Sequence, residues 1–479
     1  MLLPAENQPS AEPTDPRTGP RTDAPTDAAT DAPTDPRADD SPVALAVRQA
    51  VADGLLGEDR PLAGFVDVRG VRDSVAGLHA AFARVPEVLH TFAAKACALV
   101  PVLRLLAETG MGCEVASRGE LRLALDAGFA PARIVLDSPA KTRSEIREAL
   151  ALGVALNADN LDELERIDAL RPPGCASVLG VRVNPQVGGG SIGAMSTATA
   201  HSKFGVALRD PGARTRVVEA FARRPWLTRL HAHVGSQGCP LPLIAEGLAA
   251  IHRLAEEINA SVGRRQVTSL DLGGGLPVNF ADDTVTPTYA QYVAALDAAE
   301  PALLDGGYQV VTEFGRSLIA KNGFTAALVE YVKDAGGRRV ALTHAGGHIA
   351  TRTVFMPDAW PLRVSAYGPD GTPKRTPLVR QDVAGPLCFA GDVVAHDRPL
   401  PALAEGDLVV LHDTGGYYFS AHWSYNSLPR PAVYGYRLEA GRVTFATVRS
   451  AQTVREISAE SGLDRADALL TGFAAPPET

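Results

Sequence analysis

The sequence predicts an α/β chain built as a (β/α)8 TIM-like barrel followed by a C-terminal all-β domain. Three observations carry that expectation. From residue 88, short β-rich runs ending in small or polar residues alternate eight times with amphipathic segments of helical period, over about 230 residues. The glycine fingerprint that opens a doubly wound sheet is missing after the first strand, although such a sheet would give the same alternation. After residue 323, Gly, Pro and Asp punctuate short strands instead.

The elements follow in order. Residues 1–42 hold nine prolines, a loose Thr-Asp repeat, nine acidic and three basic residues. Too little apolar surface is present to offset backbone entropy, so this stretch reads as a disordered acidic leader. Order is expected from Ser41-Pro42, an N-cap followed by proline at the first helical position. Residues 43–87 have no place in a barrel and are expected to pack onto the second domain. Barrel strands are expected at 88–96, 113–117, 134–138, 155–159, 177–184, 229–235, 269–273 and 309–313, with helices at 118–127, 142–152, 161–170 and 243–258 between them. The barrel domain runs over 88–322 and the β domain over 323–479, with strands at 325–332, 339–343, 407–412 and 442–448.

Composition removes several classes of function. The 479 residues are 46% hydrophobic and 21% charged, as expected of a globular protein with a large core. Acidic residues outnumber basic ones 55 to 46, which argues against a nucleic-acid binder. No apolar run reaches the ~18 residues of a membrane span, and the Met1-Leu2-Leu3-Pro4 start carries no secretory signal. Five scattered cysteines never form CxxC, so neither a disulfide framework nor a metal site is expected, and a cytoplasmic setting fits.

A barrel of this kind builds its active site at the C-terminal ends of its strands. The first strand closes on Lys95, one of only six lysines. Loss of hydration there is expected to lower its pKa and free the amine as a nucleophile toward an aldehyde; a lysine snorkelling from a strand end is the alternative. The sixth strand ends in His233-Val234-Gly235-Ser236-Gln237, the seventh in Gly273-Gly274-Gly275 and the eighth in Glu313-Phe314-Gly315-Arg316. Three glycines let backbone N–H groups approach an anion, and Ser236 and Arg316 add donors where barrels often bind phosphate. A lysine and a phosphate cradle together suggest pyridoxal phosphate, with Glu313 as partner of the pyridinium nitrogen and His233 stacked on the ring. Glu313 pairing with Arg316, or a structural His233, would be the plainer readings.

With these residues in place the chain resembles the fold-type III pyridoxal-phosphate decarboxylases, the family of the diaminopimelate, ornithine and arginine enzymes. The resemblance spans roughly 60–437. It rests on Phe92-Ala93-Ala94-Lys95-Ala96, Val115-Ala116-Ser117-Arg118-Gly119-Glu120-Leu121, Ser202-Lys203-Phe204-Gly205, the His233 and Gly273 blocks, Gly385-Pro386-Leu387-Cys388, Asp413-Thr414-Gly415-Gly416-Tyr417 and Tyr425-Asn426-Ser427. It implies a β-barrel-like second domain and a homodimer whose active sites are shared. Lys95 would form the Schiff base, with Glu114 near it. His233 would stack, Glu313 would hold the ring nitrogen, and Ser236, Gly273, Gly274, Gly275, Gly315, Arg316 and Tyr417 would bind the phosphate end. Cys388, supplied by the partner subunit, would return a proton after carbon dioxide leaves. Its plainer reading is a buried core cysteine.

Departures from the family pattern bear on the substrate. Glu114 replaces an aspartate, and Phe314 replaces a proline. Phe389 follows Cys388 where the relatives carry an acid that reads the distal end of diaminopimelate or ornithine. Arg352 falls near the substrate-carboxylate arginine, and His344 and His348 replace an aspartate and an asparagine. With His422, Trp423 and Tyr425, they suggest an aromatic, imidazole-rich pocket in which Arg352, His348, Phe389 and Tyr417 meet the substrate. The expected reaction is decarboxylation of an amino acid or an amino-acid conjugate in a biosynthetic, secondary-metabolism setting. The alternatives are diaminopimelate decarboxylation in lysine biosynthesis, amino-acid racemisation, a catalytically dead regulatory homologue, and a single-domain pyridoxal-phosphate homeostasis protein. The last is disfavoured by the second domain, and the regulator by the presence of Lys95, Glu313 and Cys388.

Overall fold

The structure is a computed structural model that describes residues 40–473, so most of the expected leader lies outside the described residues. Helix Pro42–Ala52 begins where the sequence places it, with the Ser41 hydroxyl accepting the Ala44 N–H at 3.1 Å. Strand β1 (Leu62–Asp67) follows, then helix Val68–Ala81.

The segment before the barrel divides in two. β1 enters the sheet of the second domain, while Val71, Val75 and Leu78, spaced at four and three residues, pack into the core of the barrel. Apolar helical spacing, once the chain turns at Asp67, buries one face of this helix in the barrel core, while Val68 at its start stays against Gly435 of the sheet.

The barrel strands are β2 (Val88–Ala93), β3 (Gly112–Val115), β4 (Ile134–Leu136), β5 (Ala155–Ala158), β6 (Leu179–Asn184), β8 (Leu227–His231), β9 (Ser269–Asp271) and β10 (Gln309–Phe314). A two-residue strand, β7 (Val206–Ala207), pairs with β6 alone. All pairings in the ring are parallel, and it closes through β5–β6 on one side and β10–β2 on the other. The expected strands run one to four residues beyond most of these ends, because the terminal residues leave the ladder to form the loops that carry the site. Polar caps start the intervening helices: Thr142 and Glu145 make a capping box for Arg143–Leu152, and Ser117 caps Arg118–Asp126.

The second domain contains β11 (Gly323–Ala335), β12 (Arg338–Thr343), β13 (Val364–Tyr367), β14 (Leu378–Ala384), β15 (Val393–Pro401), β16 (Leu408–Leu411), β17 (Ala432–Glu439) and β18 (Arg442–Arg449). They form one mixed sheet in the order β15-β14-β12-β11-β1-β17-β18, with β16 pairing β11 and β13. The domain also carries helices Gly347–Phe355 and Val454–Glu460, so it is β-rich and not purely β. Two apolar clusters fill it, while Phe419 and Val433 reach into the barrel core and join the two parts. Among the described residues, no helix is long and apolar enough to cross a membrane.

Candidate active site

Lys95 sits on a single 3-10 turn, Ala94–Ala96, directly after β2. Its carbonyl neighbour at Ala96 accepts the Tyr417 N–H at 2.6 Å, so the turn is fastened by the second domain. Tyr417 adopts φ 75°, a left-handed conformation held here by that bond and by the ring contacts described below. Lys95 Nζ donates to Glu114 Oε2 at 2.5 Å. Glu114 comes from β3, whose register places it beside Ala93. The lysine side chain is 40% exposed to the barrel mouth, whereas Glu114 is 1% exposed.

The electrostatics correct one expectation. Loss of water does pull the Lys95 ammonium down, but Glu114 and Glu313 outweigh it and hold the group above its ordinary value. Burial is in turn the main influence on Glu114, raising its carboxyl to about 8 despite the lysine beside it. Lys95 is thus a paired ammonium with a weakly acidic carboxyl as its proton partner.

Glu313 lies on β10 opposite Thr91, and its N–H donates to the Gly273 carbonyl at 2.6 Å. Both carboxylate oxygens are buried and make no hydrogen bond among the described residues. The nearest nitrogens, His231 Nε2 and His233 Nδ1, stand 3.6 Å from Oε2, too far for hydrogen bonds. Burial favours the neutral acid, yet the adjacent His231 charge and the nearby His233 and Lys95 hold Glu313 well below the usual carboxylate range. Glu313 does not pair with Arg316.

His233 accepts the Gly274 N–H at Nδ1, 3.3 Å, and burial lowers its pKa, so the ring is neutral with its proton on Nε2. Gly274 is required: a Cβ there would fall 2.2 Å from the Glu313 carbonyl oxygen. Gly275, at φ 98°, likewise brings the chain against the Gly235 carbonyl.

Arg316, buried after β10, places its guanidinium 4.4 Å from the Tyr417 ring centre and 4.6 Å from that of Trp360. Arg352 lies 4.3 Å from the same Tyr417 ring. Arg316 Nε and Nη2 and Arg352 Nη1 are buried without hydrogen-bond partners. Burial, with Arg352 adding repulsion, lowers Arg316 to about 10. Two guanidiniums that share aromatic faces and have no carboxylate partner among the described residues make an anion subsite.

One cavity of about 250 Å³ gathers Lys95, His233, Ser236, Gly275, Glu313, Gly315, Arg316, Arg352 and Tyr417. Larger hollows elsewhere contain neither Lys95 nor Glu313. Cys388, Phe389 and His348 lie outside the cavity in the same chain. Cys388 is exposed on the β14–β15 loop, its N–H donating to Asn426 Oδ1 at 2.8 Å. Phe389 packs among Phe355, Trp423 and Tyr425, and His348 is buried across from His422 at 5.9 Å.

Sequence reasoning missed the layer beneath Glu313. His231, the last residue of β8, is fully buried between Glu313 and Asp137, with Nδ1 3.6 Å from Asp137 Oδ1. Arg182 of β6 donates to Asp137 Oδ2 at 3.0 Å. The spacing His231-Ala232-His233 at a strand end was a readable signal, since residues two apart share one face. Asp137 and Arg182 belong to the third and fifth expected strands, whose ends carry neither a lysine nor a glycine run. Met195, Thr197 and Phe204 of the long loop after β6 also line the cavity; Phe204 belongs to the Ser202–Gly205 block, whereas nothing local in the sequence marks Met195 and Thr197.

Residues 71–320 match the family profile described as "Pyridoxal-dependent decarboxylase, pyridoxal binding domain". The diaminopimelate decarboxylase of Pseudomonas aeruginosa is 34% identical over 392 residues, spanning 80% of this chain and 88% of that protein. That of Methanothermobacter thermautotrophicus is 30% identical and spans 77% of this chain and 84% of its own. Among solved structures, Helicobacter pylori diaminopimelate decarboxylase complexed with L-lysine superposes with a TM-score of 0.74 at 25% identity, covering 84% of this chain and 97% of that one. A barrel closed around a paired lysine, an unbonded buried carboxylate and an anion subsite thus coincides with a family match across the barrel, and the chain belongs to the fold-type III pyridoxal-phosphate-dependent amino-acid decarboxylases, which are carboxy-lyases.

Proposed function

We propose that the chain decarboxylates diaminopimelate, as a cytoplasmic homodimer with shared active sites. Its similarity to the diaminopimelate decarboxylases supports the substrate. Five free thiols suit a reducing compartment. The single observation that carries the reading is the convergence of Lys95, Glu114, Glu313, Arg316 and Arg352 at one barrel mouth.

The residues fit pyridoxal phosphate on three counts. Glu313 offers two buried oxygens without donors, suited to a protonated ring nitrogen. The glycine turn at 273–275 leaves no room for side chains, so the backbone itself forms this wall of the site. Arg316 Nε and Nη2 have no hydrogen-bond partner among the described residues, which leaves its charge for a phosphate. Lys95, Glu114, His233, Ser236, Gly273, Gly274, Gly275, Glu313, Gly315, Arg316 and Tyr417 would hold the cofactor. When bound, it supplies an aldehyde that joins amino groups and a ring that takes up the electron pair left by departing carbon dioxide.

The protein's part follows from its own groups. Glu114 pairs with Lys95 Nζ across 2.5 Å and holds the amine in place at the barrel mouth. Glu313 stays anionic and fixes a proton on the nitrogen facing it. Neutral His233 offers a flat ring face that carries no competing charge. Arg352 is placed for a substrate carboxylate, and Cys388 of the partner subunit returns a proton to carbon, its exposure in the single chain being consistent with a shared site.

A second reading rests on a different observation. Phe389, Phe355, Trp423 and Tyr425 form an aromatic cluster beside Cys388 with no charge to read a distal amine or carboxylate. That cluster favours an amino-acid conjugate with a bulky apolar end, acted on in a secondary pathway. Carbon dioxide release from diaminopimelate isomers, ornithine, lysine and aromatic conjugates separates the two. Turnover of diaminopimelate at least tenfold above every conjugate supports the main reading, and the reverse order replaces it. Loss of optical rotation without carbon dioxide would instead reveal a racemase.

A further inference from the structure

Beneath the cavity lies a buried chain of charged groups that the proposed steps do not use. Arg182 Nη1 donates to Asp137 Oδ2 at 3.0 Å, Asp137 Oδ1 stands 3.6 Å from His231 Nδ1, and His231 Nε2 stands 3.6 Å from Glu313 Oε2. The groups come from the ends of β6, β4, β8 and β10, so closure of the barrel alone makes them neighbours. Both ring nitrogens of His231 lack hydrogen-bond partners, and the side chain is fully buried.

We propose that His231, backed by Asp137 and Arg182, is a positioning residue that keeps Glu313 ionised and therefore able to hold a proton on the cofactor ring. The placement of His231 supports this. Its Nε2 approaches Glu313 from beneath while Asp137 stands behind its Nδ1. Asp137, Glu313 and Asp271 raise its pKa to about 9 against its burial. Without that charge Glu313 would stand among buried acids, where protonation is the cheapest relief. Asp271 already sits near 6 through burial and Glu313, so the balance is fine. A neutral Glu313 cannot keep the ring nitrogen protonated. His233 cannot substitute, because its Nδ1 already accepts from Gly274.

This inference rests on the assignment of Glu313 to the ring nitrogen, and the test separates the two. The holoenzyme is reconstituted with pyridoxal phosphate labelled with 15N in the ring, and the 15N shift reports protonation of that nitrogen directly. Glu313→Gln is the control for the assignment, and His231→Gln tests the positioning role. Both are expected to move the signal toward that of neutral pyridine. His231→Gln is also expected to weaken cofactor binding by about tenfold, as loss of a supporting partner behind a ligand does. If Glu313→Gln moves the signal and His231→Gln does not, the positioning role is overturned and the assignment stands. If Glu313→Gln leaves it unmoved, the assignment falls and the positioning role with it. Should His231→Gln fail to fold, Asp137→Asn decides in its place by the same shift.

Discussion

The closest approach in the active site is also the sharpest test of its construction. A Cβ added at Gly274 would lie 2.2 Å from the Glu313 carbonyl oxygen and 2.9 Å from its carbonyl carbon, where ordinary contact begins at 3.4 Å. Neither atom is the tip of a flexible side chain, so β10 and the glycine turn must separate by about 1 Å, a misplacement that can cost on the order of 100-fold in rate. Glu313 N–H donates to the Gly273 carbonyl, so the displacement falls on the carboxylate's own backbone. Overpacking of this kind costs about 1–3 kcal/mol of stability. Gly274→Ala is therefore expected to lower kcat/KM for carbon dioxide release by roughly two orders of magnitude, with a lowered Tm. Gly119→Ala is the matched control, since the nearest atom to its Cβ is Ser117 Oγ at 3.7 Å and the residue is exposed on a helix. A Gly274→Ala enzyme within about threefold of the parent, with unchanged Tm, would refute the view that this contact sets the position of Glu313.

Other outcomes follow from the same geometry. Lys95→Ala is expected to abolish turnover, and borohydride treatment of the parent with added pyridoxal phosphate should tag Lys95 alone in peptide mapping. Arg316→Met removes one of two unpaired guanidiniums, and equilibrium dialysis should show cofactor affinity falling by about 10- to 100-fold, the worth of a charged hydrogen bond. Mixing inactive Lys95→Ala with impaired Cys388→Ala one to one should restore about a quarter of parental activity overall, since about half the dimers are mixed and each carries one intact site of two, whereas no recovery would place both groups in one subunit's site. His231 has a pKa raised from 6.5 to about 9, so its stabilisation is full below pH 6.5 and disappears as pH rises through 9. Thermal melts of parent and His231→Gln should therefore differ most near pH 6, by on the order of 3 kcal/mol, and converge above pH 9.

Periodicity and strand-end chemistry sufficed for much of this protein. Eight alternations, the cap at Ser41, and the strand-end residues Lys95, His233, Gly273–Gly275, Glu313 and Arg316 were all legible, because each is a local pattern with a local physical cause. For helix Val68–Ala81, a stripe at three- and four-residue spacing says that a face is buried and not against what, and the helix meets the barrel core as well as the sheet. The Lys95 amine illustrates the same limit. Its sequence neighbours are apolar and argue for a lowered pKa, but Glu114, 19 positions away, raises it across 2.5 Å. Arg182, Asp137 and His231 are ordinary residues in their own strands and become a charged layer only when the ring closes. What the sequence by itself determined was which side chains stand at strand ends. Only the tertiary structure decided which of them meet, because electrostatic coupling depends on distance through space, and closing a barrel makes neighbours of residues that the chain keeps far apart.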